Sequence, residues 1–110
     1  MWGREECVYD RIEPTFNSDD ALNALLVDIK SEVGRARAKF PGDNATFAAL
    51  VEEVGELAKA LMEEPTANVR AEAIQVATMA IRIILDGDTT MNDWREEKLL
   101  DHLTEPTEDR

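Results

Sequence analysis

An all-α bundle of about four helices is the fold class that this sequence predicts, on three observations. Apolar residues recur at helical spacing in one segment after another. Proline and glycine punctuate those segments at Pro41-Gly42, Pro65 and Gly87. No segment of useful length alternates at the strand period of two.

Residues 1–17 have mixed charge and carry Pro14, and they read as an irregular N-terminal arm. Ser18 follows as an N-cap, with Asp19 and Asp20 in the first turn, where the helix dipole favours anions. Leu22, Leu25, Leu26, Ile29 and Val33 mark a first helix that runs to about Lys39 and stops at Pro41-Gly42. Asp43 or Asn44 caps the second helix. There Phe47, Leu50, Val51, Val54, Leu57, Ala58 and Leu61 form a continuous apolar stripe that ends near Glu64. Pro65 or Thr66 opens the third helix, and Gly87 closes it. Its apolar residues, from Ala73 to Leu85, cover most of the circumference. A helix of that kind is buried on several sides, which predicts a subunit interface as well as a core. Thr90 and Asp93 resemble a capping box for a fourth helix, Met91 to about Leu103. The helical domain is therefore 18–103, and 104–110 is a loose acidic tail with Pro106.

The length of 110 residues suits one domain, and 44% hydrophobic residues is ordinary for a globular chain. A formal net charge of −12 repels nucleic-acid phosphate and anionic lipid, so neither nucleic acid nor membrane is an expected partner. Cys7 is the only cysteine, which excludes an intrachain disulfide. The longest apolar stretch, Ala71–Leu85, is interrupted by Glu72, Gln75 and Arg82 and is too short and polar to span a bilayer. The start lacks the layout of a signal peptide, and a cytoplasmic location is the expectation. Charge of this size serves plain solubility, a divalent cation site, or a surface that imitates DNA. Position has to choose among them.

Glu52, Glu53 and Glu56 fall within about 100° of one another on the second helix, opposite its apolar stripe. By themselves they read as a solvated face. The third helix alters that reading. Asn68, Glu72, Gln75 and Arg82 lie along one side of an otherwise apolar helix, and a polar stripe on a buried helix needs partners. The short Pro65-Thr66 turn packs the two helices antiparallel, so Glu72 and Gln75 are expected to face the second helix. Crowded carboxylates repel unless a cation joins them. Magnesium answers that need, since it takes oxygen ligands and keeps waters and substrate phosphates in its shell. The plainer alternative pairs Glu72 with Arg70 or Arg82, but neither sits at intrahelical pairing distance. Met62 and Met79 read as core filler.

Phe40-Pro41, then Phe47-Ala-Ala-Leu-Val-Glu-Glu-Val-Gly-Glu-Leu-Ala-Lys-Ala-Leu61, then Glu72-Ala-Ile-Gln75 resemble the MazG superfamily of all-α nucleotide pyrophosphohydrolases, over about residues 20–90. That superfamily includes MazG proper, dimeric dUTPases and phosphoribosyl-ATP pyrophosphohydrolases. Its pattern is E-E-x-x-E followed after a spacer by E-x-x-D. Gly55 in mid-helix makes the first part fairly specific, and a small residue there suits close helix approach. The resemblance implies magnesium-dependent cleavage, or cleavage with manganese in its place, of a nucleoside triphosphate to a monophosphate and pyrophosphate. It implies metal ligation by Glu53, Glu56, Glu72 and the residue at position 75. Glu52 and Glu53 would take part in catalysis, Glu52 by binding a second ion or positioning the attacking water. It also implies a homodimer or tetramer. The departure is Gln75, which stands where the pattern has Asp. A neutral amide binds metal more weakly, which leaves a weakened enzyme and a catalytically inactive nucleotide-binding or assembly module both open.

For phosphate contacts the sequence offers Lys39, Lys59, Arg82, Arg95 and Lys98, with Arg82 the best of them because it shares the polar side of the third helix; ordinary surface cations are the plainer reading of each. Phe40 or Trp94 could stack on a base, but core packing is the expected role of each. His102, the only histidine, sits at the end of an exposed helix and is given no catalytic role.

Overall fold

The computed structural model describes residues 18–104, and over them the chain forms helices without a strand. The helices are α1 (Ser18–Lys39), α2 (Thr46–Glu63), α3 (Thr66–Asp86) and α4 (Thr89–Glu97). The N-terminal arm, Cys7 and the tail beyond Thr104 lie outside the described residues. No described helix is long and apolar enough to cross a membrane.

Helix α3 is the element on which both α1 and α2 pack. Its wide apolar surface permits that, because a helix with one narrow stripe serves one neighbour only. Ile29 and Val33 of α1, Thr46 and Ala60 of α2, and Thr78 and Arg82 of α3 are buried. The face of α2 turned towards α3 is mostly small, with Thr46, Ala49 and Ala60, and it carries Glu53. Positions 46, 49, 53 and 60 share that face because they recur at three, four and seven residues.

The apolar stripe of α2 therefore points elsewhere than into the core of a single chain. Phe47, Val51, Val54 and Leu61 are 46%, 52%, 47% and 64% exposed. Only Leu50 and Leu57 are half-buried. Met62 is 75% exposed, which corrects its expected role as core filler. Gly55 is exposed too, and a Cβ added there would meet nothing within 4 Å, so close helix approach within the chain does not explain it.

Helix caps differ from those the sequence suggested. Neither Asp43 nor Asn44 caps α2; the cap position is Ala45, in left-handed backbone at φ 61° without a side-chain cap. Asp88 supplies the missing acceptor from 41 residues away: its Oδ2 accepts from Phe47 N at 2.5 Å. Its Oδ1 accepts from Met91 N at 3.1 Å and caps α4. One carboxylate, 1% exposed, thus serves two helix N-termini, and each such cap contributes about 1 kcal/mol. The joint is tightened by Thr89 N donating to Asp43 O at 2.8 Å and Thr89 Oγ1 to Asp43 Oδ1 at 2.5 Å.

The Thr90–Asp93 capping box does not form, since α4 starts earlier, behind Asp88. That helix also ends earlier than expected, at Glu97. Leu99 adopts φ 60°, and Leu99 N and Leu100 N donate back to Glu96 O and Arg95 O, closing the helix in a Schellman arrangement. The chain then returns to the end of α3, where a Cβ on Gly87 (φ 81°) would come within 2.8 Å of Thr104 Oγ1. Only glycine fits that close approach.

Candidate functional site

A groove of about 880 Å³ opens between α1 and α2, with α3 as its floor. Helix α1 lines it with Glu32, Arg35, Ala36 and Lys39, positions that share one face by helical spacing. Helix α2 contributes Thr46, Ala49, Glu52 and Glu53, and α3 contributes Gln75, Met79 and Arg82. The segment Phe40-Pro41-Gly42 with Asn44 and Ala45 closes one end.

Glu53 is the acid of the groove whose carboxyl is raised. Burial pushes its carboxyl above the usual range first, then the charge of Glu72 and a hydrogen bond with it, then the charges of Glu52 and Glu56. The expected contact between the second and third helices is therefore present at Glu53 and Glu72. Glu52 lines the groove and is exposed, whereas Glu56 and Glu72 are not part of the lining. Among the described residues no three of His, Cys, Asp and Glu converge closely enough to hold a metal ion. The expected four-residue set of Glu53, Glu56, Glu72 and Gln75 is thus represented by one carboxylate pair.

Gln75 turns the other way. Its Nε2 donates to Glu32 Oε2 of α1 at 2.7 Å. Residues three apart on a helix diverge by about 60° around the axis, so when Glu72 meets α2, position 75 is carried towards α1. Glu32 Oε1 also accepts from Arg35, at 2.9 Å from Nε and in a second bond from Nη2. The Gln75 amide first, then Arg35 and the charge of Lys39, hold the Glu32 carboxyl below its usual range against the opposing effect of burial. Sequence reasoning missed Glu32. The only signal was its place at i, i+3 and i+7 with Arg35 and Lys39, which is indistinguishable from an ordinary solvated face.

Arg82 lies at the groove wall but its guanidinium is occupied by the chain itself. It is 4% exposed. Its Nη2 donates to Phe40 O at 3.0 Å and Gly42 O at 2.8 Å, its Nη1 to Ala36 O at 3.4 Å, and its Nε to Asp86 Oδ2 at 3.0 Å. Those bonds fasten the end of α1 and the Pro41-Gly42 turn to α3. The polar stripe on α3 does need partners, as expected, but at Arg82 the partners are three backbone carbonyls and the Asp86 carboxylate.

Lys39 is exposed at the groove with Nζ 5.4 Å from the Phe40 ring centroid. Lys98 lies outside the groove lining, 5.4 Å over the Trp94 ring. Lys59 Nζ lies 3.9 Å from Glu64, and Arg95 donates to Asp101 O at 2.5 Å. His102 is 3.9 Å from Glu96, away from the groove. In comparisons with known proteins, no family model, no curated protein and no solved structure matches the chain.

Proposed function

We propose that this chain is a MazG-like nucleoside triphosphate pyrophosphohydrolase that acts as a homo-oligomer with magnesium, or manganese in its place. The observation that carries the reading is the placement of Glu52 and Glu53 on the wall of a groove of nucleotide size, with Glu72 of α3 near enough to raise the Glu53 carboxyl. A carboxyl raised by a neighbouring carboxylate is relieved when a cation joins the two. Magnesium commonly takes one or two carboxylates and fills its shell with water and phosphate, so the pair fits it. Glu53 and Glu72 would hold the ion, with Glu56 one turn along from Glu53. When bound, it would offset phosphate charge and acidify a coordinated water.

Glu52, on the groove wall, would orient the attacking water. The water oxygen would bond to the α-phosphorus and give one proton to the Glu52 carboxylate, while the bond from that phosphorus to the bridging oxygen breaks and pyrophosphate leaves with the electron pair. The position of Glu53 in the groove weighs against a surface that imitates DNA. Exposed Phe47, Val51, Val54 and Leu61 on α2, with Ile84 and Leu85 on α3, support self-association.

A panel of nucleoside triphosphates assayed for pyrophosphate with each metal tests the reading, alongside sedimentation equilibrium. Release from at least one nucleotide by a species heavier than 12.3 kDa is expected. No release and no divalent binding would remove the proposal.

The Gln75–Glu32 hydrogen bond favours a second reading, a nucleotide-binding or assembly module without turnover. Gln75→Asp separates the two. It removes the donor and sets a carboxylate opposite Glu32, so the metal-free variant should be less stable by about 1–2 kcal/mol. Added magnesium should recover more stability than it gives the wild type. A large gain in turnover identifies a degenerate site, and unchanged turnover a site already competent with Gln75.

A further inference from the structure

The two walls of the groove differ in charge: the α2 side carries acids alone, whereas the α1 side carries two cations and one acid, Glu32, which is paired with Arg35. Glu52 and Glu53 stand on the α2 side, and Arg35 and Lys39 stand one turn apart on the α1 side. We propose that Arg35 and Lys39 form a phosphate-binding wall that holds the pyrophosphate portion of the substrate, an inference that rests on the reading of the groove as a polyphosphate site.

Arg35 is built for that role. Glu32 fixes its guanidinium through Nε and Nη2, and Gln75 fixes Glu32 in turn from the floor of the groove. A guanidinium held by one edge loses less conformational freedom on binding and keeps its remaining N–H groups for an oxyanion. Nη1 of Arg35 has no partner among the described residues, and its side chain is 69% exposed. Lys39 adds a point charge one turn on. Arg82, the cation that the sequence favoured, is closed off by Phe40, Gly42, Ala36 and Asp86. The chain thus offers phosphate a cationic wall on α1 despite its net charge of −12. This arrangement also gives Gln75 a use: its amide donates to Glu32, whereas an Asp carboxylate there has no donor and would repel Glu32.

The test uses the full chain and inorganic pyrophosphate with magnesium, titrated by calorimetry. The variants are Arg35→Gln, Lys39→Gln and Arg37→Gln. Arg37 serves as the charge-matched control, since it is on α1, pairs with Asp86 at 2.5 Å and does not line the groove. Losing a charge-assisted hydrogen bond weakens binding by about tenfold or more, expected for Arg35→Gln and Lys39→Gln. Screening by salt limits the control to a change within about twofold. Equal affinity across wild type and both groove variants, or an equal loss in the control, overturns the wall.

Nucleotide turnover that Arg35→Gln leaves unchanged in KM also overturns it while sparing the hydrolase reading. Pyrophosphate held through Arg35 and Lys39, with no nucleotide turned over, supports the wall and removes the hydrolase reading. A wild type that binds no pyrophosphate removes the wall.

Discussion

Glu53→Gln is expected to lose pyrophosphate release and, in the same variant, to gain thermal stability. The two effects share one cause. Glu53 is an acid whose carboxyl is raised by burial and by Glu72, so ionising it near neutral pH works against the fold. The amide keeps the shape and removes the charge. The sign of the linkage follows from the direction of the shift. A carboxyl raised on folding penalises the folded state above its folded pKa and carries no penalty below its unfolded one. The advantage of Glu53→Gln over wild type should therefore be greatest at neutral pH. It should shrink as pH falls from the raised value through the ordinary carboxylate range.

Magnesium should distinguish the two proteins. A ligand that binds the folded state alone stabilises it by about 2.7 kcal/mol at a hundredfold excess over Kd. Wild type should gain Tm with the ion and the variant should not. Melting curves with and without magnesium, between acid and neutral pH, read both effects. A variant that is less stable than wild type at neutral pH and responds to magnesium as wild type does would count against Glu53 as a ligand.

Arg82→Ala is expected to cost about 3–5 kcal/mol, the range for breaking a buried charged network. Asp86, Phe40 O, Gly42 O and Ala36 O all lose a donor. In a domain of this size that is a fall in Tm of more than about 10 °C. Arg82→Lys should recover only part of it, because an ammonium is a point charge and cannot fork to several acceptors. Urea unfolding of both variants measures the cost.

Acid should narrow the gap. The bond from Arg37, and after it that from Arg82, hold Asp86 below its usual pKa against burial. Stability from that group is present above its ordinary range and is lost as pH falls through the lowered value. If instead both Arg82 variants kept wild-type stability and lost pyrophosphate affinity alone, Arg82 would be a phosphate contact and the structural account of it would fail.

Much of the architecture was legible in the residues. Helical spacing from Leu22 to Val33 and from Phe47 to Leu61, with Pro41-Gly42, Pro65 and Gly87 as stops, yields α1, α2 and α3 with bounds that match the structure closely. Where the reading missed, a distant residue had intervened. No local signal places Asp88 at the N-terminus of α2, because the two are 41 positions apart. Thr90 and Asp93 made a plausible capping box, but a better acceptor one residue before α4 took the role. The groove acids divide in the same manner. Glu53 and Glu72 could be paired from two helical stripes and a short turn. Glu32 could not, since nothing in the sequence reports which flank of α3 meets α1.

What the sequence by itself determined is the all-helical architecture of the described residues and the acidic pair on neighbouring helices, since both depend on periodicity and a two-residue connection. Tertiary structure alone decided where the polar side chains of α3 point. The axial divergence of about 60° between positions 72 and 75 sends Glu72 to α2 and Gln75 to α1, and the packing of α1 then closes Arg82 against its carbonyls. A helix face has a period that can be read, but its neighbour is set by burial and hydrogen bonding across the whole fold.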